Sequence, residues 1–169
     1  RVDILVNNAG IAVRRQPQDI SGAEWDRVLD VNLRSVFLAS KAVYPQMKEQ
    51  GGGKIINIGS MMSLFGSDWV SPYSASKGGV VQLTKSLALA WAGDNIQVNA
   101  ILPGWFVTGL TESIPAQDPD RYDLISRRIP TGRWGRPEEL GGSAVFLASA
   151  ASDYVTGAVL AVDGGYSVM

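Results

Sequence analysis

The sequence predicts an α/β fold around a parallel sheet, with helices covering both sheet faces. Short β-rich runs alternate with longer stretches of helical periodicity. Those runs are nearly continuous in apolar residues, as in strands buried on both sides. A length of 169 residues fits one domain, and no internal repeat or low-complexity tract divides it.

Strands are predicted at 3–7, 54–58, 97–101 and 158–162. The first helix is predicted over 23–49, where Trp25, Val28, Leu29, Val36, Ala39 and Val43 follow helical spacing. Ser21 is its N-cap, and Glu24, three residues on, completes a capping box. Gly51, Gly52 and Gly53 follow the helix and lead into a strand. A phosphate cradle needs the reverse order, so the triplet reads as a turn. The second helix starts with Ser71 as cap and Pro72 at its first position, and Gly93 closes it. Over 108–134 the periodicity dissolves into a polar stretch interrupted by Pro115, Pro119 and Pro130, the kind of irregular segment that serves as a lid or binding lobe. Pro137 opens a third helix with Glu138 and Glu139 at the positive end of its dipole. The chain begins at Arg1 and enters a strand almost at once, from which we expect further sequence upstream.

Composition narrows the chemistry. With 46% hydrophobic and 18% charged residues, the chain reads as an ordinary globular protein. No apolar run reaches the ~20 residues of a membrane helix, so no membrane partner is expected. A net charge of −1 gives no basic footprint for nucleic acid. The sequence contains no cysteine and no histidine, which excludes disulfides, thiol nucleophiles and imidazole-based triads; no metal site is expected. Lack of cysteine fits a cytoplasmic location. Acid–base chemistry is left to Asp, Glu, Lys or Tyr.

Tyr73 and Lys77 stand one helical turn apart at the start of the second helix, on one face. A tyrosine of pKa about 10 is a poor base at neutral pH, and bringing it to about 7 takes roughly 4 kcal/mol. An ammonium about 4 Å away at an effective dielectric near 20 supplies a term of that size. Taken alone, the pair is better accounted for by a buried tyrosine beside a solvated lysine, since such pairs are common on helices. Asn32 lies on the apolar stripe with Trp25, Leu29 and Val36, where a polar group must find partners.

Several motifs surround the pair. Tyr73–Ser74–Ala75–Ser76–Lys77 follows Ile55–Ile56–Asn57–Ile58–Gly59–Ser60 at the spacing of the short-chain dehydrogenase/reductase family. Asn7–Asn8–Ala9–Gly10 resembles its Asn-Asn-Ala-Gly motif, and Val31–Asn32–Leu33 the helix motif with its catalytic asparagine. Val98–Asn99–Ala100–Ile101–Leu102–Pro103–Gly104 is similar to its strand and Pro-Gly turn, and Val162–Asp163–Gly164–Gly165 to its C-terminal signature. The resemblance spans essentially the whole chain.

That resemblance implies the C-terminal portion of a Rossmann-like doubly wound parallel sheet, about four strands with flanking helices. It implies an oxidoreductase moving hydride between NAD or NADP and an alcohol or ketone. Tyr73 would be the general acid/base, and Lys77 would lower its pKa and bond the nicotinamide ribose. Ser60 would hold the substrate oxygen; Ser63 is a rival by proximity, at a spacing shorter than the family's. Asn32 would hold a water linking Lys77 to solvent. Asn8, Ala9 and Gly10 would pass beneath the adenosine ribose. Pro103, Gly104, Val107 and Thr108 would flank the nicotinamide, with Val107 backbone bonding its carboxamide. The family's Gly-x-x-x-Gly-x-Gly pyrophosphate turn occurs nowhere in these residues, nor does the residue that separates NAD from NADP. The segment from Ile129 to Leu140 resembles sugar-acid and polyol dehydrogenases, and acyl-carrier-protein ketoreductases have related segments. Arg14, Arg15, Asp68, Tyr122, Arg127 and Arg128 are the polar residues expected to read hydroxyls or a carboxylate. A truncated, inactive protein acting only through subunit contacts is one alternative, and a 3-oxoacyl thioester reductase is another. The family's habit implies a homotetramer built on the first two long helices and the C-terminal strand.

Overall fold

The structure, a computed structural model, describes residues 1–109, 111 and 113–169. Strand β1 (Ile4–Asn7) leads through a loop to α1 (Gly22–Leu29), a π-helical turn (Asp30–Arg34) and α2 (Ser35–Glu49). Then come β2 (Gly53–Ile58), α3 (Ser71–Trp91) and β3 (Ile96–Pro103). Short helices α4 (Ile114–Gln117) and α5 (Pro119–Arg127) precede α6 (Gly141–Ala148) and β4 (Val159–Val162).

The four strands form one parallel sheet in the order β1-β2-β3-β4, with Leu5 opposite Ile55, Ile55 opposite Val98 and Ile101 opposite Leu160. Alternation along β2 decides which helix covers which face. Ile55 packs with Met47 of α2 and Leu87 and Ala88 of α3, whereas Ile56, with Ile101, packs against Leu147 of α6. Helices therefore lie on both faces, as expected of a doubly wound sheet. The strand order advances in one direction, so the α6 crossover over the opposite face has the opposite hand to the first two. A third cluster, with Ile114, Ile125, Ile129 and Trp134 packed on Leu102 and Met61, fastens the 105–134 segment to the body.

Several expectations need adjustment. Ser21 and Glu24 form the predicted reciprocal cap. The helix behind them is helical throughout but contains the π-turn, where the Ser35 N–H reaches back to the Asp30 carbonyl. Ser71 lies within α3 and Val70 is the residue before it, with its carbonyl accepting from the Ser74 N–H. Gly93 falls in a 3-10 turn, and Asn95, at φ 58°, ends that turn and delivers the chain to β3. The stretch at 108–134 is not irregular throughout: Pro115 and Pro119 sit in the first turns of α4 and α5, where the missing N–H costs nothing. Leu110 and Glu112 of that stretch lie outside the described residues. Pro137 opens a 3-10 turn that runs into α6, and Glu139 there binds Arg133 at 2.7 Å.

Candidate active site

All four strands run parallel, so their carboxyl ends meet at one edge of the sheet, where ligands of open α/β sheets bind. A cleft of about 440 Å³ opens there. Asn8 and Gly10 contribute from the end of β1, Ser60 from the end of β2, and Pro103 and Gly104 from the end of β3. Tyr73 and Lys77 enter from the first turns of α3, and Thr108 from the segment beyond β3. Sequence reasoning named all of these.

Ser60 takes a fully extended backbone, and its Oγ accepts from the Met62 N–H at 3.1 Å. Its hydroxyl lies beside the Tyr73 phenol and favours the phenolate. Burial pushes the Tyr73 phenol up from its ordinary value, and the Ser60 hydroxyl works against that rise. Lys77 is only 4% exposed, and burial pushes its ammonium down to about 8. Its Nζ donates to the Ile58 carbonyl at 2.7 Å and lies 5.7 Å from the centre of the Tyr73 ring. Here the two groups share a low-dielectric pocket, the lysine is anchored to β2, and desolvation dominates both.

Asn32 sits behind the cleft rather than in its lining, fully buried. Its Oδ1 accepts from the Ile11 N–H at 2.8 Å, and its Nδ2 donates to the Ile11 carbonyl and to Ser76 Oγ. Ser76 in turn donates to the Tyr73 carbonyl at 2.7 Å. Sequence reasoning missed Ser76 as a partner; its place inside the Tyr-to-Lys motif was the available signal. The Ile58 carbonyl had none, being backbone.

Other expected residues fall differently. Ala9 and Val107 do not line the cleft. Val107 is 52% exposed, and its N–H donates to the Gly135 carbonyl instead of pointing inward. Gly104 does line it, but also for a packing reason: a Cβ there would lie 2.6 Å from Asp163 Cα, so the Pro-Gly turn and the C-terminal signature interlock. Arg14 lines the cleft, whereas Arg15 pairs with Glu24 at 3.4 Å and Asp68 borders a separate depression. Arg128 stacks between Phe65 and Tyr166, and Tyr122 packs on Trp134. The cleft receives Arg121 from α5 instead, a residue that sequence reasoning passed over.

The lining fits a nicotinamide nucleoside. A Cβ at Gly10 would stand 3.5 Å from Lys77 Nζ and 3.6 Å from Asn32 Oδ1, so the glycine keeps open the space in front of the lysine. One of the three ammonium N–H bonds is spent on Ile58, and a vicinal diol suits the others. Among the described residues no cluster of His, Cys, Asp or Glu fit to hold a metal ion is found, and no helix is long and apolar enough to cross a membrane.

Comparison with known proteins adds the family. A family model described as enoyl-(acyl carrier protein) reductase matches residues 1–167. The 2-dehydro-3-deoxy-D-gluconate 5-dehydrogenase of Dickeya dadantii is 53% identical over 167 residues, covering 98% of this chain and 66% of that protein. The gluconate 5-dehydrogenase of Gluconobacter oxydans is 44% identical, with 99% and 65% covered. The crystal structure of a gluconate 5-dehydrogenase from Burkholderia cenocepacia in complex with NADP and tartrate superposes with a TM-score of 0.96 at 44% identity, covering 99% of this chain and 65% of that one. The chain thus spans about two thirds of the length of the curated relatives it matches. With the motifs in order, the parallel sheet and these matches, the chain belongs to the short-chain dehydrogenase/reductase family.

Proposed function

We propose that this chain carries the catalytic part of an NAD(P)-dependent dehydrogenase that interconverts an alcohol and a ketone on a sugar acid. The observation that carries the reading is the convergence of Ser60, Tyr73 and Lys77 on one cleft at the carboxyl ends of the strands, with Gly10 opening the floor before Lys77.

When bound, the nicotinamide supplies the hydride acceptor for oxidation or the donor for reduction. Lys77 would hold the ribose hydroxyls. Asn8 and Gly10 would support the adenosine side, and Pro103, Gly104 and Thr108 would flank the nicotinamide. Ser60 donates to the reacting oxygen and stabilises the charge that gathers on it. Tyr73 Oη gives that oxygen a proton in reduction and takes one in oxidation, so the alcohol loses a hydride from carbon and a proton from oxygen. A phenol held protonated by burial is ready to act as the acid at neutral pH. Asn32 connects α3 to the loop after β1.

The sugar-acid assignment is supported by relatives whose names place the reaction at C5 of gluconate-type acids. Arg14 and Arg121 give the cleft two guanidinium groups suited to a carboxylate. The 108–134 segment, which carries Arg121, is the substrate lobe. A cytoplasmic homo-oligomer completes the reading, supported by the lack of cysteine and by exposed Phe37, Leu38, Val145 and Phe146.

The test is a substrate panel with the full-length polypeptide: gluconate, 2-dehydro-3-deoxygluconate, sorbitol and a 3-oxoacyl thioester, each with NAD(H) and NADP(H), followed by nicotinamide absorbance. Turnover is expected on the sugar acids. Turnover confined to the thioester, or absent throughout, would overturn the assignment.

A further inference from the structure

Ser63 is the hydroxyl that competes with Ser60 by proximity, and its bonding removes it from that contest. Its Oγ donates to the Lys77 carbonyl at 2.8 Å and accepts from the Ser60 N–H at 3.1 Å. A serine hydroxyl has one hydrogen, and this one is committed to the helix. We propose that Ser63 is a positioning residue that ties the Ser60 backbone to the Lys77 backbone and so sets the reach between the substrate-holding hydroxyl and the helix bearing Tyr73 and Lys77. The proposal rests on the catalytic reading of Ser60, Tyr73 and Lys77 given above.

The surrounding geometry supports it. Residue 77 is held to the end of β2 at both its ends: Nζ to the Ile58 carbonyl at 2.7 Å, and its own carbonyl to Ser63. Between Ile58 and Ser60, Gly59 has no room for a side chain; a Cβ there would collide with Leu102 and press on the Ser63 hydroxyl. The 3-10 turn at Met61–Ser63 closes through the Ser60 carbonyl, which accepts from the Ser63 N–H at 2.9 Å. Since Ser60 Oγ already accepts from Met62, its own hydrogen is left for Tyr73 or the substrate oxygen. The direction of that O–H depends on the backbone that Ser63 fixes. Without the tie, Ser60 N–H loses its partner and Ser60 Oγ samples a wider arc. The loss falls on the transition state, where the oxygen carries charge, more than on ground-state binding.

A second consequence is electrostatic. The Ser60 hydroxyl is what opposes the burial-driven rise of the Tyr73 phenol, so a looser contact raises the phenol further. Among the described residues, the charged groups sharing the cleft with Tyr73 are Lys77 on its own helix, Arg14 from the β1 loop, and Asp118 and Arg121 from the lobe. Substitution at Ser63 removes none of these four charges.

The experiment compares Ser63→Ala, Ser63→Thr and Tyr73→Phe in the full-length polypeptide. For Ser63→Ala, kcat is expected to fall about tenfold or more, with cofactor KM within about twofold. The alkaline rise of the oxidation rate should move to higher pH. Ser63→Thr keeps the hydroxyl and should recover kcat and the pH profile. A folded Ser63→Ala with wild-type kcat and an unmoved profile overturns the proposal. So does a Ser63→Thr that regains thermal stability but not kcat. An inactive Tyr73→Phe beside an unaltered Ser63→Ala removes the Ser63 tie alone, whereas turnover retained by Tyr73→Phe removes the catalytic reading together with it.

Discussion

Lys77 illustrates how a single residue carries a cost that the fold tolerates. Desolvation holds its ammonium at about 8 in the folded chain, against an ordinary value of 10.5. Between those values the unfolded chain binds more protons than the folded one, so the free energy of unfolding rises with pH. One group contributes at most about 1.4 kcal/mol per pH unit. The phenol of Tyr73, raised above 10.0, acts in the opposite sense only above that pH. Denaturant titrations from pH 8 to 10 should therefore show stability increasing in the wild type, with that increment missing in Lys77→Met. Equal slopes in the two proteins would contradict burial of the charge. The identity of this lysine was legible from its spacing to Tyr73. Its anchorage was not, because the Ile58 carbonyl that receives it belongs to every residue's backbone.

At the scale of the element, the long first helix shows what periodicity conveys and what it misses. The capping box at Ser21 and Glu24 and the buried stripe of Val28 and Val36 were readable from residue type and spacing. The π-turn at Asp30–Arg34 was not, because one widened turn barely changes the apolar pattern. That turn presents Asn32 to the loop after β1, where its amide meets the N–H and carbonyl of Ile11, and to α3, where it meets the Ser76 hydroxyl. Asn32→Ala strands these buried groups and should cost about 2–3 kcal/mol in chemical denaturation. A cost below about 0.5 kcal/mol, the usual range for surface changes, would show that the clamp is not structural. Segment 108–134 shows the opposite failure. Its prolines read as breaks, yet Pro115 and Pro119 each open a short helix, and Ile114, Ile125 and Trp134 dock that segment on the body.

The whole molecule assembles its cleft from segments far apart in sequence. Parallel pairing brings Asn8, Ser60 and Pro103 to one edge, and α3 adds Tyr73 and Lys77. Fold class and strand positions were legible because strands buried on both faces are apolar runs of a recognisable length. The ends of β3 were not: Ile96, Leu102 and Pro103 join it through pairing with Gly53, Ala161 and Val162, which only the assembled sheet supplies. For the same reason the residue approaching the cleft from α5 proved to be Arg121 rather than its neighbours. The central claim is that the Tyr73 phenol exchanges the substrate proton. Single-turnover and steady-state rates of Tyr73→Phe in the full-length polypeptide, with cofactor binding followed by tryptophan fluorescence, test it most directly. The account predicts cofactor affinity within about threefold of wild type and a turnover lower by a factor of about 100 or more. Turnover within a few-fold of wild type, at equal cofactor occupancy, would contradict it.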